Sequence, residues 1–505
     1  MKQATGLVVL GVALAGASCG GEKVTAAPPS VLGKPTATAV AGADAGALDV
    51  LGPKPEPSAP APFSPPVPTA YKHARGMKVW LLERHALPIV SAQCVVQVGS
   101  MNDPEKKEGL AWATANMLDE GAGKRSALDL ASDLDRLGAT VATGTYPDYS
   151  FAHLTVLKKN LREAAAIYGD ILGKPTFSGA DWARVNALWK NDLEQRKSDP
   201  SAVAAVVMQA RVFGSDHVYG HPTNGTTRSA ANVTLADVKA FYERYWRADY
   251  ATCVVVGDVT RSELDPVLDA AFAGWRTSAT LGGGGSGRGG STRAPGRRLV
   301  LVDRPDAPQS VIAVGRPGVS ARDLTTTPLT RVNAALGGSF TSRLNQDLRE
   351  EHGWSYGAKS RFSFHAETGM FVAQAAVHTE HTGEALAAML ADIDGVAKQG
   401  LTDDEVVKTR LLARSEVVEA FEGVESAAAR LARSAGVALP PDHEAKASAA
   451  IARASKDELA RLAKTYLDLS SAEIVVVGPR AKVEPQLRAI GITDIAAASP
   501  EGDPK

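Results

Sequence analysis

Two short stretches decide the fold. The first is Thr234–Trp246, TLADVKAFYERYW, followed by Ala251–Val259, ATCVVVGDV. The second is Ser455–Leu467, SKDELARLAKTYL, followed by Ala472–Arg480, AEIVVVGPR. Each is an amphipathic helix pattern leading into a buried strand that ends in Val-Val-Val-Gly. A second pair of stretches lies upstream of each. Val79–Glu83, VWLLE, precedes HALPIVSAQCVVQVGS, and Leu299–Asp303, LVLVD, precedes RPDAPQSVIAVGRPGVS. The offsets agree to within one residue, 220 from Val79 to Leu299 and 221 from Val254 to Val475. Two matched pairs at one offset point to a duplicated domain of about 200 residues. Each copy opens on a strand pair, passes through helices and closes on a helix and a buried strand. That order predicts an α+β fold of two homologous domains, each a mixed β-sheet with helices packed on one side.

The rest of the 505-residue chain falls outside this repeat. Residues 1–19 carry one Lys and an apolar run from Leu7 to Ala17, too short for a bilayer span but suited to a signal peptide. The run ends at Gly16-Ala17-Ser18-Cys19, which resembles a bacterial lipoprotein cleavage box, with Gly16 where a Leu is usual. Cys19 is therefore the expected acylated N-terminus, and the chain is expected as an exported lipoprotein on the periplasmic face of the inner or outer membrane. Residues 20–70 are rich in Pro and Ala and cannot bury enough apolar surface to order themselves. They read as a tether with a reach of about 150 Å at roughly 3.1 Å per residue. Residues 71–280 form the first domain, 281–298 a Gly-rich linker, 299–485 the second domain and 486–505 a tail. The net charge of −1 gives no basic surface for nucleic acid. Cys94 and Cys253 sit in apolar strand patterns. They could pair in an oxidising compartment, but buried free thiols are the expectation.

The second copy holds the most specific motif, GGSFTSRLNQDLREEHGWSYGAKSRF, residues 337–362. The first copy holds Val98-Gly99-Ser100 and then Gly109-Leu110-Ala111-Trp112-Ala113-Thr114-Ala115-Asn116-Met117. Together they resemble the insulinase/pitrilysin-type zinc peptidases, close to the processing-peptidase branch, over residues 72–485. In that family the first-copy helix follows a pattern like Gly-Leu-Ala-His-x-x-Glu-His-Met. Two His one turn apart hold zinc and the Glu serves as general base. Here those positions are Trp112, Ala115 and Asn116. The family's third ligand, a Glu on a later helix, is best matched by Asp192 in WKNDLEQRKSDP. Tryptophan and alanine offer no ligand lone pair, and one carboxylate is not a catalytic zinc site. The other close His pairs, His217 with His221 and His378 with His381, lack helical context or an intervening catalytic Glu and read as structural.

The resemblance implies a different role for the second copy. Arg349 near a helix end and Tyr356 at a strand start, with Gly353 as a left-handed helix cap between them, match a pair that binds the substrate carbonyl region opposite the zinc. Arg343 is placed equally well for a structural pairing. The implied function is a non-catalytic, substrate-clamping subunit of an exported heterodimeric zinc peptidase, with zinc in the partner of the same family and no cofactor in this chain. The alternative is a stand-alone pseudo-peptidase acting as a peptide-binding or scaffold homodimer.

Overall fold

The structure is a computed structural model and describes residues 61, 63–277 and 296–504. The expected signal peptide, Cys19, most of the tether and nearly all of the Gly-rich linker lie outside the described residues.

The strand pattern of the first copy folds as β1 Thr69–Lys72, β2 Lys78–Glu83, β3 Ile89–Val96, a small hairpin of β4 Gly121–Ala122 and β5 Arg125–Ser126, then β6 Thr140–Thr145, β7 Ser150–Leu157 and β8 Ala251–Gly257. The second copy supplies β9 Arg298–Asp303, β10 Gln309–Pro317, β11 Ser355–Phe364, β12 Gly369–His378, β13 Glu473–Gly478 and β14 Ile495–Ala497. The first sheet runs β1-β2-β8-β3-β7-β6 and the second β11-β12-β10-β13-β9-β14. Read from the β6 and β11 edges, the first five strands follow the same order in both. In each sheet one inner pair is parallel, β2 with β8 and β9 with β13. The register places Trp80 opposite Val254 and Val300 opposite Val475, the repeat expected from the offsets. The fold is thus α+β with two homologous halves.

Each sheet packs one face against helices of its own half. The first core joins Val79, Leu81, Cys94 and Val255 to Ile167, Ile171, Leu264 and Leu268, and the second joins Leu301, Ile312 and Val476 to Leu386, Met389, Leu459 and Leu462. The opposite faces are covered crosswise. The helix Pro200–Phe213 leaves the first half and lays Val203, Val207 and Met208 on Val300, Val311 and Val475 of the second sheet. The helix Val424–Gly436 leaves the second half and lays Ala428, Leu431 and Ala435 on Val95, Val254 and Val256 of the first. Helices on one side of each sheet therefore describe each half alone, and the second layer comes from the other half.

Polar contacts lock the same seam. Asp148, in the β6–β7 turn, accepts from the Tyr219 hydroxyl at 2.5 Å and from the backbone N–H of Ala366 in the β11–β12 turn at 3.1 Å. Glu473, fully buried on β13, takes Arg211 of the crossing helix at 2.9 Å and Arg298 at 2.7 Å.

Two features differ from the sequence reading. The chain beyond 485 is not a free tail. A helix runs Arg480–Ala489, β14 adds to β9, and Glu501 accepts from the Thr227 backbone N–H at 2.8 Å. Cys94 and Cys253 are not free thiols but a disulfide. They stand directly opposite each other on the antiparallel neighbours β3 and β8, a register that brings their side chains to one face. The sequence left this pairing open as the less expected alternative, because the two residues lie 159 positions apart and only the strand register brings them together. Closing so long a loop constrains the unfolded chain. Replacing both cysteines by alanine is expected to lower unfolding free energy by about 2–5 kcal/mol in guanidinium titrations, the same loss that reductant gives the parent chain.

Candidate functional site

The helix that matches the zinc helix is Leu110–Asn116. Asp103 builds its entry, accepting from the backbone N–H groups of Gly109 at 2.6 Å and Ala111 at 2.7 Å. Gly109 adopts φ +98, and a Cβ there would sit 2.6 Å from the Trp189 ring, so only glycine fits. The substituted positions are filled with packing. Trp112 is half-buried and meets the Trp189 ring with centroids 5.5 Å apart. Ala115 is fully buried, and the Asn116 amide donates to the Trp112 carbonyl at 2.8 Å. On the later helix, Gly179–Arg196, the buried stripe is Trp182, Val185, Trp189 and Leu193. Trp189, not Asp192, therefore faces the first helix, and Asp192 is exposed. Among the described residues no group of three or more His, Cys, Asp or Glu side chains is placed to hold a metal ion.

The Arg/Tyr motif begins with a short helical turn, Arg343–Asn345, that widens into a π-helical segment, Gln346–Glu351. Arg343 grips Glu405 with two hydrogen bonds of 2.7 Å and the Gly400 carbonyl at 3.0 Å. That bidentate pair ties the turn to the helix Asp403–Glu422, so Arg343 is structural. Arg349 lays its guanidinium over the Phe340 ring, 4.4 Å from the centroid, and approaches Glu350 at 3.3 Å. Gly353 adopts φ +64 and ends the segment as the expected left-handed cap. Next comes β11, which among the described residues is an edge strand paired with β12 alone. A bulge interrupts their register between Ser355 and Ala358, and the Ser355 hydroxyl holds it, donating to the Ala376 carbonyl at 2.7 Å and accepting from Gly357 N–H at 3.0 Å. Tyr356 lies in this bulge and is 85% exposed. Arg349 and Tyr356 thus stand on either side of one turn, with the Tyr356 hydroxyl available to a ligand.

The remaining His pairs are turn and surface residues. His217 accepts from the Tyr219 backbone N–H at 3.1 Å, and His221 lies 3.2 Å from the Pro222 carbonyl through Nδ1. His381 pairs with Glu384 at 2.7 Å and stacks on Trp354, which stacks in turn on His352. Sequence reading missed Phe340, which supports Arg349, since its only signal is its place in the Gly337–Phe364 stretch.

Comparison with known proteins agrees with this geometry. Residues 78–219 match the family described as insulinase (peptidase family M16), and residues 232–411 match the peptidase M16 inactive domain. The chain belongs to the insulinase family. The boundary between the two matches, residues 219–232, falls within the first half. A protein named uncharacterized zinc protease in Streptomyces coelicolor is 26% identical over 311 residues, 61% of this chain and 67% of that protein. The crystal structure of a peptidase M16 inactive domain from Pseudomonas fluorescens superposes with a TM-score of 0.75 at 24% identity, covering 82% of this chain and 98% of that one. A protease from Helicobacter pylori gives 0.77 at 16% identity, covering 83% and 100%. These two structures establish the shared fold. The family's zinc chemistry does not fit this chain's own residues. An indole, a buried methyl group and a side-chain amide engaged with its own helix stand where imidazoles and a carboxylate are required.

Behind the Arg349 segment lies an acidic group with a consequence for stability. Asp392, on the helix Thr382–Gln399, has a buried Oδ2 without a hydrogen-bond partner among the described residues. Burial, reinforced by the Asp347 carboxylate, pushes its pKa up from 3.8 to about 6. The folded chain therefore holds this proton more tightly than the unfolded one. The stabilising contribution is complete below about pH 4 and is lost as pH rises through about 6. Asp392→Asn is expected to raise unfolding free energy at pH 7.5 by roughly 2 kcal/mol and to leave it unchanged at pH 4, as read by denaturant titration at the two pH values.

Proposed function

We propose that this chain is the non-catalytic, substrate-clamping subunit of an exported heterodimeric zinc peptidase that degrades peptides in a closed chamber. One observation carries the reading. The positions of a zinc helix are filled by Trp112, Ala115 and Asn116 within an otherwise intact frame, while Arg349 and Tyr356 are presented on an exposed turn and edge strand. Relatives named as zinc proteases, together with the insulinase-family frame, favour a partner of the same family. Zinc, water and general base belong to that partner. This chain contributes affinity and orientation.

The side chains suit that task. Arg349 brings a fixed charge and a planar set of donors. Its stacking on Phe340 supports the guanidinium, and with Nε beside Glu350 the terminal N–H groups face outward for a peptide carbonyl. The Tyr356 hydroxyl can donate to an oxygen that gains charge in the transition state, where one such donor is typically worth roughly 3–4 kcal/mol. Export is supported by the lipoprotein-like N-terminus and by the Cys94–Cys253 disulfide, which suits an oxidising compartment.

The test uses a family member from the same organism with an intact His-x-x-Glu-His motif, assayed for peptide hydrolysis with and without this chain. Addition is expected to raise activity, and Arg349→Ala combined with Tyr356→Phe to lower it by about 100-fold, mainly in kcat. Zinc is expected at one ion per heterodimer and none on the isolated chain. Activity indifferent to the added chain contradicts the proposal. A stable homodimer that binds peptides without any partner supports the scaffold alternative instead.

A further inference from the structure

A cavity of about 200 Å³ lies in the second half. Its walls come from the loop around residues 320–327, the distal end of β11, and the helices Val424–Gly436 and His443–Arg453. It is separate from the Arg/Tyr motif. Phe364, in its wall, is eight residues along β11 from Tyr356, or about 26 Å at the usual strand rise.

The lining divides by chemistry. Phe362, Phe364, Val437 and Ile451 give an apolar interior. Two polar groups face it unpaired. His443 is only 8% exposed, yet its imidazole has no hydrogen-bond or ion-pair partner among the described residues. Arg433 is exposed at the cavity and likewise has no carboxylate or carbonyl partner there. A nearly buried imidazole without a partner, beside an exposed guanidinium, leaves both donors open to an acceptor in the cavity.

The acids of the lining are already engaged. Glu444 accepts from Arg430 at 2.7 Å and from the Ser434 hydroxyl at 2.6 Å. Asp323 accepts from the Thr325 backbone N–H at 2.9 Å and from its hydroxyl at 2.6 Å. With those charges satisfied, Arg433 leaves a positive excess. Burial lowers the pKa of His443, so at neutral pH the ring is uncharged and can donate one N–H. The volume sets the size of the apolar part. An engineered apolar cavity of about 150 Å³ accepts benzene, so about 200 Å³ accepts one aromatic or branched aliphatic group.

We infer that this cavity is a binding site for a small apolar carboxylate, with the apolar group between Phe362, Phe364 and Ile451 and the carboxylate on Arg433 and His443. The ligand chemistry has two sources, the C-terminal residue of a peptide and a free organic acid. The site does not depend on the clamp and stands or falls separately from it.

Calorimetric titration of the full chain tests it with N-acetyl-phenylalanine, its primary amide and hexanoate. N-acetyl-phenylalanine is expected to bind at one per chain and its amide about ten-fold more weakly or less, the size of one charge-assisted contact. Arg433→Gln is expected to lose about as much. Arg433 is exposed, so this variant should keep the parent's thermal midpoint. His443→Gln checks the second contact. Arg322→Gln, on the adjacent loop outside the lining, should bind as the parent does. Tighter binding of N-acetyl-phenylalanine than of hexanoate assigns the site to peptide ends, and equal binding to free acids; both support the carboxylate assignment. Equal affinity for acid and amide, undiminished binding by Arg433→Gln, or no saturable binding of either acid overturns it.

Discussion

The structure depends on a reciprocal exchange of helices. Neither sheet is closed by its own half. Pro200–Phe213 seals the second sheet and Val424–Gly436 seals the first, each through a stripe of small and branched apolar residues. An uncovered sheet face of Val95, Val254 and Val256, or of Val300, Val311 and Val475, would expose a contiguous apolar surface to water. The two halves therefore fold onto each other as one body, and the seam is pinned by Asp148 between two β-turns and by the buried Glu473 between two arginines. This exchange fixes where the altered zinc helix and the β11 edge stand relative to one another.

Within that frame the first half offers packing, and the second half an exposed turn. The Leu110–Asn116 helix still has its carboxylate entry cap at Asp103 and its tight glycine at Gly109. Its inward positions now contribute packing, with Trp112 against Trp189. The aromatic contact and the buried Ala115 methyl group contribute packing to the helix. The Arg349–Tyr356 segment follows the opposite course. Its ionic tie is made by Arg343 to Glu405, which leaves Arg349 on an aromatic support and Tyr356 exposed by a bulge. Edge strands are places where natural sheets meet peptides and partners, and this one carries its exposed aromatic residue at the start.

Much of this was legible in the sequence for identifiable reasons. The two sheets share a strand order because the same strand and helix patterns recur at a constant offset. Gly353 was legible as a cap because a glycine after an amphipathic run has a specific backbone role, and its φ of +64 fulfils it. What stayed hidden depends on register and on partners distant in sequence. The Cys94–Cys253 bond follows from the alignment of β3 with β8, and no local pattern specifies that alignment. The apolar run Pro200–Phe213 marked a buried helix but not the sheet that buries it. The outward turn of Tyr356 comes from a bulge held by one serine hydroxyl, and Asp192 gave way to Trp189 because helix phase, not distance along the chain, decides which side chain faces inward.

The central claim is that Tyr356 and Arg349 face the zinc helix of a different chain of this family. A photo-crosslinking amino acid placed at position 356 in the native host tests it most directly, with the captured polypeptide sequenced by mass spectrometry. The account predicts a covalent adduct with a family member that carries an intact His-x-x-Glu-His motif, attached near that motif. Capture confined to copies of this same chain, or adducts distributed with no link to such a motif, would contradict it.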